Sequence, residues 1–163
     1  MTTISSEASV AAGTLEYCQN STALPLTATP SNGSYSLYYY LTGSSAAQPT
    51  IVPSTAVPGV FTYEVAEGPS STCISLSRAT IEVTILEAPT LTATPEQPLC
   101  FGQTGSVTLA SSGGNGILTY SAINPATSGL AAGSYTYSVS DSENCRSIAT
   151  AVPRYRWQLT PAV

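Results

Sequence analysis

The sequence predicts an all-β protein made of two tandem antiparallel β-sandwich domains, and two observations carry that prediction. Apolar and small polar residues alternate in short runs, which is the period of a half-buried strand. These runs recur about every ten residues between clusters of Gly, Pro, Ser and Asn, a spacing typical of a sandwich or barrel. With 42% hydrophobic residues the chain has enough apolar material to bury a core.

Alternating runs define the predicted strands of the first half. In the predicted strand Thr80–Ile85, the side chains of Ile81, Val83 and Ile85 face the core while the residues between them face solvent. The segment EAP at Glu87–Pro89 follows, and it predicts a domain boundary because proline cannot donate to a strand ladder. The predicted strands of this half are Tyr35–Leu41, Phe61–Ala66 and Thr80–Ile85.

The second half repeats the plan, with a glycine turn at Ser112–Gly116 between its first two strands. The predicted organisation is an extended N-terminal segment at 1–13, domains at 14–87 and 88–152, and a C-terminal strand or tail at 153–163. The predicted strands of the second half are Ser106–Ala110, Ile117–Ala122, Ser134–Ser140 and Ser147–Val152.

The composition excludes several classes of function. Lysine and arginine together number 4, which argues against a nucleic-acid partner because binding DNA or RNA requires a basic surface. Histidine is absent, so triads with an imidazole base and most zinc sites are excluded. No apolar run approaches the roughly 20 residues needed to span a bilayer. We therefore expect neither an enzyme of these classes nor a membrane span.

The four cysteines fall two to each predicted domain. Four cysteines allow three connectivities, and only Cys18 with Cys73 and Cys100 with Cys145 keeps each bond within one domain. Disulfides closing such loops stabilise by about 4 kcal/mol each, and they form in an oxidising exterior. Metal-binding or catalytic thiols are the alternative.

The second domain resembles the SprB-type repeat found in large surface adhesins of Bacteroidota. The residues that carry the resemblance are Cys100 with the turn after it, the SVTL strand, the GGNG turn and the run from Gly129 to Cys145. One departure is Ile117–Tyr120, after which the expected tryptophan is missing. The resemblance implies secretion and an Ig-like sandwich that serves as a spacer or an adhesive module.

The first domain resembles the Ig-like modules that accompany type IX secretion sorting domains in the same bacteria. The segments YSLYYYL and GVFTYEVAEGPSSTC carry this resemblance. Together the two resemblances imply two Ig-like domains at the cell surface, and neither supplies catalytic residues.

Two groups of acidic residues are candidate sites. Asp141, Glu143 and Asn144 place three oxygen donors within four residues, which suggests part of a calcium site or, alternatively, an ordinary acidic turn. Glu64 and Glu82 could be imagined as a glycosidase pair, but exposed strand positions explain them better. No cofactor is otherwise expected.

Aromatic residues supply the candidate interaction surfaces. Tyr38 and Tyr40 lie on the strand face opposite the core, where they could stack on a sugar or contact a protein, or be covered by a loop. In the tail, Tyr155, Trp157 and Leu159 form one apolar face. This tail could pack on its own domain, begin a third domain, or add to a sheet of another subunit.

The sequence thus predicts a non-enzymatic, extracellular structural or adhesive module of a bacterial cell-surface protein. Its expected partners are neighbouring repeats or copies of itself, and surface polysaccharide is a further possible partner. Two alternatives remain open: a subunit of a self-assembling filament joined by strand donation, and a carbohydrate-binding module of a secreted enzyme.

Overall fold

The computed structural model describes residues 9–10, 15–98 and 102–154, and every regular element among them is a β-strand. The predicted all-β fold class is confirmed. The chain divides into two compact units, Met1–Leu86 and Glu87–Val163, a division compatible with the joint predicted at Glu87–Pro89. The described residues contain no helix long and apolar enough to cross a membrane.

Unit 1 is built on a four-stranded sheet with the order β2-β6-β5-β4. β4 and β6 both pair antiparallel with β5, whereas β2 runs parallel to β6. The parallel pair departs from the predicted antiparallel sheet. It is possible because the chain between β2 and β6 is far longer than a hairpin loop. A separate pair joins β1 to β3. The strands are β1 Ser9–Val10, β2 Leu15–Cys18, β3 Ala28–Thr29, β4 Ser36–Leu41, β5 Gly59–Gly68 and β6 Ala79–Leu86.

The core of unit 1 lies on one face of this sheet. Its strands present alternate side chains inward, so Ile81, Val83 and Ile85 are all buried as the pattern predicts. Tyr63 and Val65 of β5 join them, and burial raises the pKa of the Tyr63 hydroxyl. The buried cluster consists of Leu26, Tyr39, Ile51, Tyr63, Val65, Ile81, Val83 and Ile85.

Unit 2 contains the antiparallel pair β7–β8 and a three-stranded sheet with the order β11-β10-β9. Val107, Leu130, Tyr137 and Ala151 form its buried core. The strands are β7 Pro89–Glu96, β8 Ser106–Gly113, β9 Thr119–Tyr120, β10 Tyr135–Ser140 and β11 Arg146–Ala151.

Two strands of unit 2 differ in length from their predictions. β8 continues to Gly113, beyond the predicted end at Ala110, because residues 111–113 keep pairing with the start of β7. β9 is only two residues long, although Ile117–Ala122 was predicted to be a strand. At its start, the Ile117 amide donates to Ser142 Oγ at 2.9 Å and not to a neighbouring strand.

Candidate functional site

A buried carboxylate organises the turn between β10 and β11. The Asp141 side chain is only 5% exposed. Its Oδ1 accepts hydrogen bonds from the backbone amides of Glu143 at 3.0 Å and Cys145 at 2.8 Å. Its Oδ2 accepts one from the amide of Asn115 at 2.8 Å. We call residues 141–145 together with these bonds the Asp141 turn.

The environment of Asp141 keeps this carboxyl group ionised. Burial by itself raises its pKa, but the hydrogen bonds from the amides of Asn115, Cys145 and Glu143 stabilise the charged form and outweigh burial. The pKa of Asp141 is therefore held below its ordinary value. Asn144 takes the left-handed conformation, with φ 63°, which asparagine tolerates better than most residues.

This geometry favours the acidic turn over the calcium site. Both oxygens of Asp141 already accept backbone hydrogen bonds, and Glu143 and Asn144 are exposed. Within residues 9–10, 15–98 and 102–154, no group of three or more His, Cys, Asp or Glu side chains is arranged to hold a metal ion. Of the three predicted ligands, Asp141 closes the hairpin with its carboxylate, whereas Glu143 and Asn144 are exposed.

Unit 1 contains a second buried carboxylate, Glu67, which the sequence analysis did not single out. Its side chain is fully buried at the end of β5. One oxygen accepts the Ser31 amide at 2.6 Å and the other accepts the Ser31 hydroxyl. The signal was present in the sequence, because Glu67 is the next inward position after Tyr63 and Val65. An acidic residue that continues an inward-facing series is a candidate for a buried, hydrogen-bonded role.

The structure corrects the predicted disulfide scheme. Cys18 and Cys145 are each disulfide-bonded, whereas Cys73 is a free, half-buried cysteine. The predicted bond between Cys18 and Cys73 is therefore wrong. The second predicted pair involves Cys100, which lies outside the described residues.

The sheet of unit 1 explains why Cys18 and Cys73 do not pair. Cys18 ends β2 opposite Leu86, at the end of the sheet where β5 begins with Gly59. Cys73 lies at the other end of β5, where its backbone carbonyl packs directly against Gly68. At about 3.3 Å per residue the strand between these ends spans about 30 Å, whereas a disulfide needs Cα atoms within about 7 Å.

The tyrosine surface predicted on β4 is also largely covered. Tyr40 is only 1% exposed, so its proposed role as an exposed binding residue is wrong. The Arg78 guanidinium lies 3.7 Å from the centre of the Tyr40 ring and bonds Glu64 at 2.8 Å. Tyr38 is half-buried. Tyr40 is thus covered by a cation–π and ion-pair cluster.

The two predicted glutamates have different surroundings. Glu64 is held by Arg78, and Glu82 lies opposite Thr62 on an exposed position of β6. The tail residues Tyr155, Trp157 and Leu159 lie outside the described residues.

An open depression of about 570 Å³ lies on the outer face of the β11-β10-β9 sheet in unit 2. Polar side chains of all three strands form its floor, and the segment after β9 forms one wall. Asp141 and Asn144, predicted from the sequence as part of a calcium site, also line it.

Comparisons with known proteins identify no family for this chain. No family model matches the chain, and no curated protein matches it. Among solved structures, it is similar to protocadherin gamma B7 extracellular cadherin domains 1–4, with 12% identity and a TM-score of 0.32. The match covers 90% of this chain and 49% of the other, so the chain spans about half the length of that protein. A likeness at this level supports no statement about function.

Proposed function

We propose that the chain is a non-enzymatic extracellular module of a bacterial cell-surface protein, acting as a structural or adhesive repeat. The observation that carries the proposal is the use of the buried carboxylates. Asp141 and Glu67 are the buried acidic groups of the described residues, and each is hydrogen-bonded to a loop of its own unit. These carboxylates thus hold loops in place, as expected for a rigid scaffold.

Two further features support an extracellular position. Cys18 and Cys145 are disulfide-bonded, and such bonds persist in oxidising compartments. The sequence resemblances to the SprB-type repeat and to modules of type IX secreted proteins point to the same compartment and to the surface of Bacteroidota.

Surface labelling in the organism that encodes the chain tests this function. Antibodies raised against the purified chain should label intact cells, and brief protease treatment of those cells should remove the label. Label that appears only after lysis would contradict the proposal. Cells lacking the encoding gene provide the control for antibody specificity.

A filament subunit is the second candidate, and the edge position of β11 favours it. In unit 1 the last strand, β6, is flanked on both sides, by β2 and β5. In unit 2 the last strand, β11, pairs only with β10 among the described residues. A strand that is hydrogen-bonded on one side can accept a strand from another subunit on its other side by main-chain hydrogen bonding.

Light scattering and negative-stain imaging of the full chain, and of a chain ending at Pro153, test the filament. Polymers of the full chain, with a monomeric shortened chain, would identify the tail as the donated strand. Two monomers would exclude strand donation through the tail.

A further inference from the structure

The outer face of the β11-β10-β9 sheet carries a row of polar side chains that crosses all three strands. Ser140 of β10 lies opposite Thr119 of β9 on one side and opposite Arg146 of β11 on the other. Residues directly opposite in antiparallel strands share a face, with Cβ atoms about 5 Å apart. A guanidinium and two hydroxyls are therefore aligned on the floor of the depression.

The wall of the depression is held rigidly. The side chain of Asn124 bonds β10 as a neighbouring strand would, because its Oδ1 accepts the Ser138 amide and its Nδ2 donates to the Ser138 carbonyl, both at 2.9 Å. The Ser121 amide donates to the same carbonyl at 3.1 Å. The segment after β9 is thereby fixed against the sheet, so a ligand would not have to order it on binding.

The wall also supplies apolar surface. Ile123 lines the depression and is 86% exposed. Tyr120 lies opposite the buried Val139, so its ring is on the other face of the sheet, where its hydroxyl is within 3.0 Å of Ser111 Oγ. An apolar wall beside a hydroxyl-rich floor resembles the two faces of a sugar ring, one of C–H groups and one of hydroxyls.

The exposed charge of the depression comes from Arg146. Among the described residues the ion pair is Arg78 with Glu64, so Arg146 has no carboxylate within salt-bridge distance there. Asp141 also lines the depression, but its oxygens accept the backbone amides of the Asp141 turn. A guanidinium forms paired hydrogen bonds with a planar carboxylate.

We propose that this depression binds an acidic sugar, with Arg146 holding the carboxylate of a hexuronate unit and Thr119 and Ser140 bonding its hydroxyls. Ile123 contacts the apolar face of the ring. The depression is open and its volume suits one or two pyranose rings, so recognition takes place along a polysaccharide and not in an enclosed pocket. The site gives the adhesive form of the proposed function a ligand class.

The test is titration of the ¹⁵N-labelled full chain with trigalacturonate, with maltotriose and acetate in parallel. Amide signals of Thr119, Ser140 and Arg146 should shift with trigalacturonate only. Arg146→Gln should weaken binding by roughly tenfold or more, because it removes a charge-assisted pair of hydrogen bonds. Arg154→Gln, at another exposed arginine of unit 2, should leave binding unchanged.

Several results would overturn the proposal. They are the absence of shifts with trigalacturonate, equal shifts with acetate or maltotriose, and equal losses in the two arginine variants. The spectrum of each variant without ligand establishes that it is folded. Failure here leaves the extracellular scaffold function standing, because surface labelling of cells tests that function separately.

Discussion

The hairpins β5–β6 and β10–β11 begin alike and then differ. Thr62–Glu67 and Thr136–Asp141 share the order Thr-Tyr, one residue, Val, one residue and an acid, and in both the acid is buried. After the acid, the chain of unit 1 passes through a half-buried, free Cys73. The chain of unit 2 reaches a buried, disulfide-bonded Cys145 within four residues.

The difference shows that the strand determines the position of the acid, whereas the loop determines the position of the cysteine. The period of two along a strand places the acid on the inward face in both units. The position of the cysteine depends on the loop, which occupies residues 69–78 in unit 1 and residues 141–145 in unit 2. In the short loop the Cys145 amide itself bonds the acid. In the long one Ser75 takes the place beside Glu67, and its amide donates to the Glu67 carbonyl at 2.7 Å.

Removing the acids should have the largest effect. Asp141→Ala and Glu67→Ala should each lower the free energy of unfolding by about 3 kcal/mol, since buried donors lose a charged acceptor. Hydrogen exchange followed by mass spectrometry should show faster exchange in the peptide containing Asn115 for Asp141→Ala, and in the peptide containing Ser31 for Glu67→Ala.

The neighbouring exposed acid provides the matched control for the Asp141 variant. Glu143→Ala should change stability by less than about 0.5 kcal/mol, as expected at an exposed position. Equal losses for Asp141→Ala and Glu143→Ala would show that the buried carboxylate does not stabilise the turn.

Reduction of the disulfide-bonded cysteines should have the next largest effect on stability. Breaking the disulfide bonding of Cys18 and Cys145 should cost about 3 kcal/mol of unfolding free energy, whereas Cys73→Ser should cost less than about 0.5 kcal/mol. Iodoacetamide applied without reductant should modify Cys73 alone among these three. Peptide mapping that finds Cys73 joined to Cys18 would instead restore the pairing predicted from the sequence.

Acid should then weaken unit 2 through Asp141. The pKa of this group is lowered in the folded state, so its stabilising contribution is complete above the unfolded pKa of about 3.9 and is lost as the pH falls through the folded pKa. The stability difference between the wild type and Asp141→Asn should therefore shrink as the pH falls below about 4. Urea unfolding at pH 7, 4 and 2.5 measures it, and a constant difference would contradict the assignment.

The smallest expected effect lies on the outer face of unit 1. Arg78→Met should cost about 1 kcal/mol, because the ion pair with Glu64 is partly exposed and the contact with Tyr40 is a single cation–π interaction. Ring signals of Tyr40 should change in the NMR spectrum, while Arg154→Gln should leave them unchanged. A silent substitution would mean that Arg78 does not hold Tyr40 in place.

Strand patterns were readable from the sequence because inward and outward positions alternate. Each strand of the β5–β6 and β10–β11 hairpins was predicted to within a few residues at either end. The prediction was weaker for β9, because the residues around it bond to loops and to side chains such as Ser142 Oγ.

The candidate sites were less predictable because they depend on contacts between segments distant in sequence. The burial of Tyr40 requires Arg78, which comes from the loop before β6. Whether Cys73 can pair depends on which end of the sheet its loop occupies, and the presence of two cysteines in each predicted domain does not contain that information. The depression beside Arg146 likewise arises from the register of three strands.

The buried acids have a consequence for how such units can diversify. Each acid accepts a hydrogen bond from a turn that lies far back in the sequence. The separation is 36 positions for Glu67 with Ser31 and 26 positions for Asp141 with Asn115. The intervening segment differs in length by ten positions, yet the hydrogen bond to the acid forms in both units. Insertions and deletions can therefore accumulate in that segment without breaking this hydrogen bond, which makes it the part of the unit most open to acquiring new specificities.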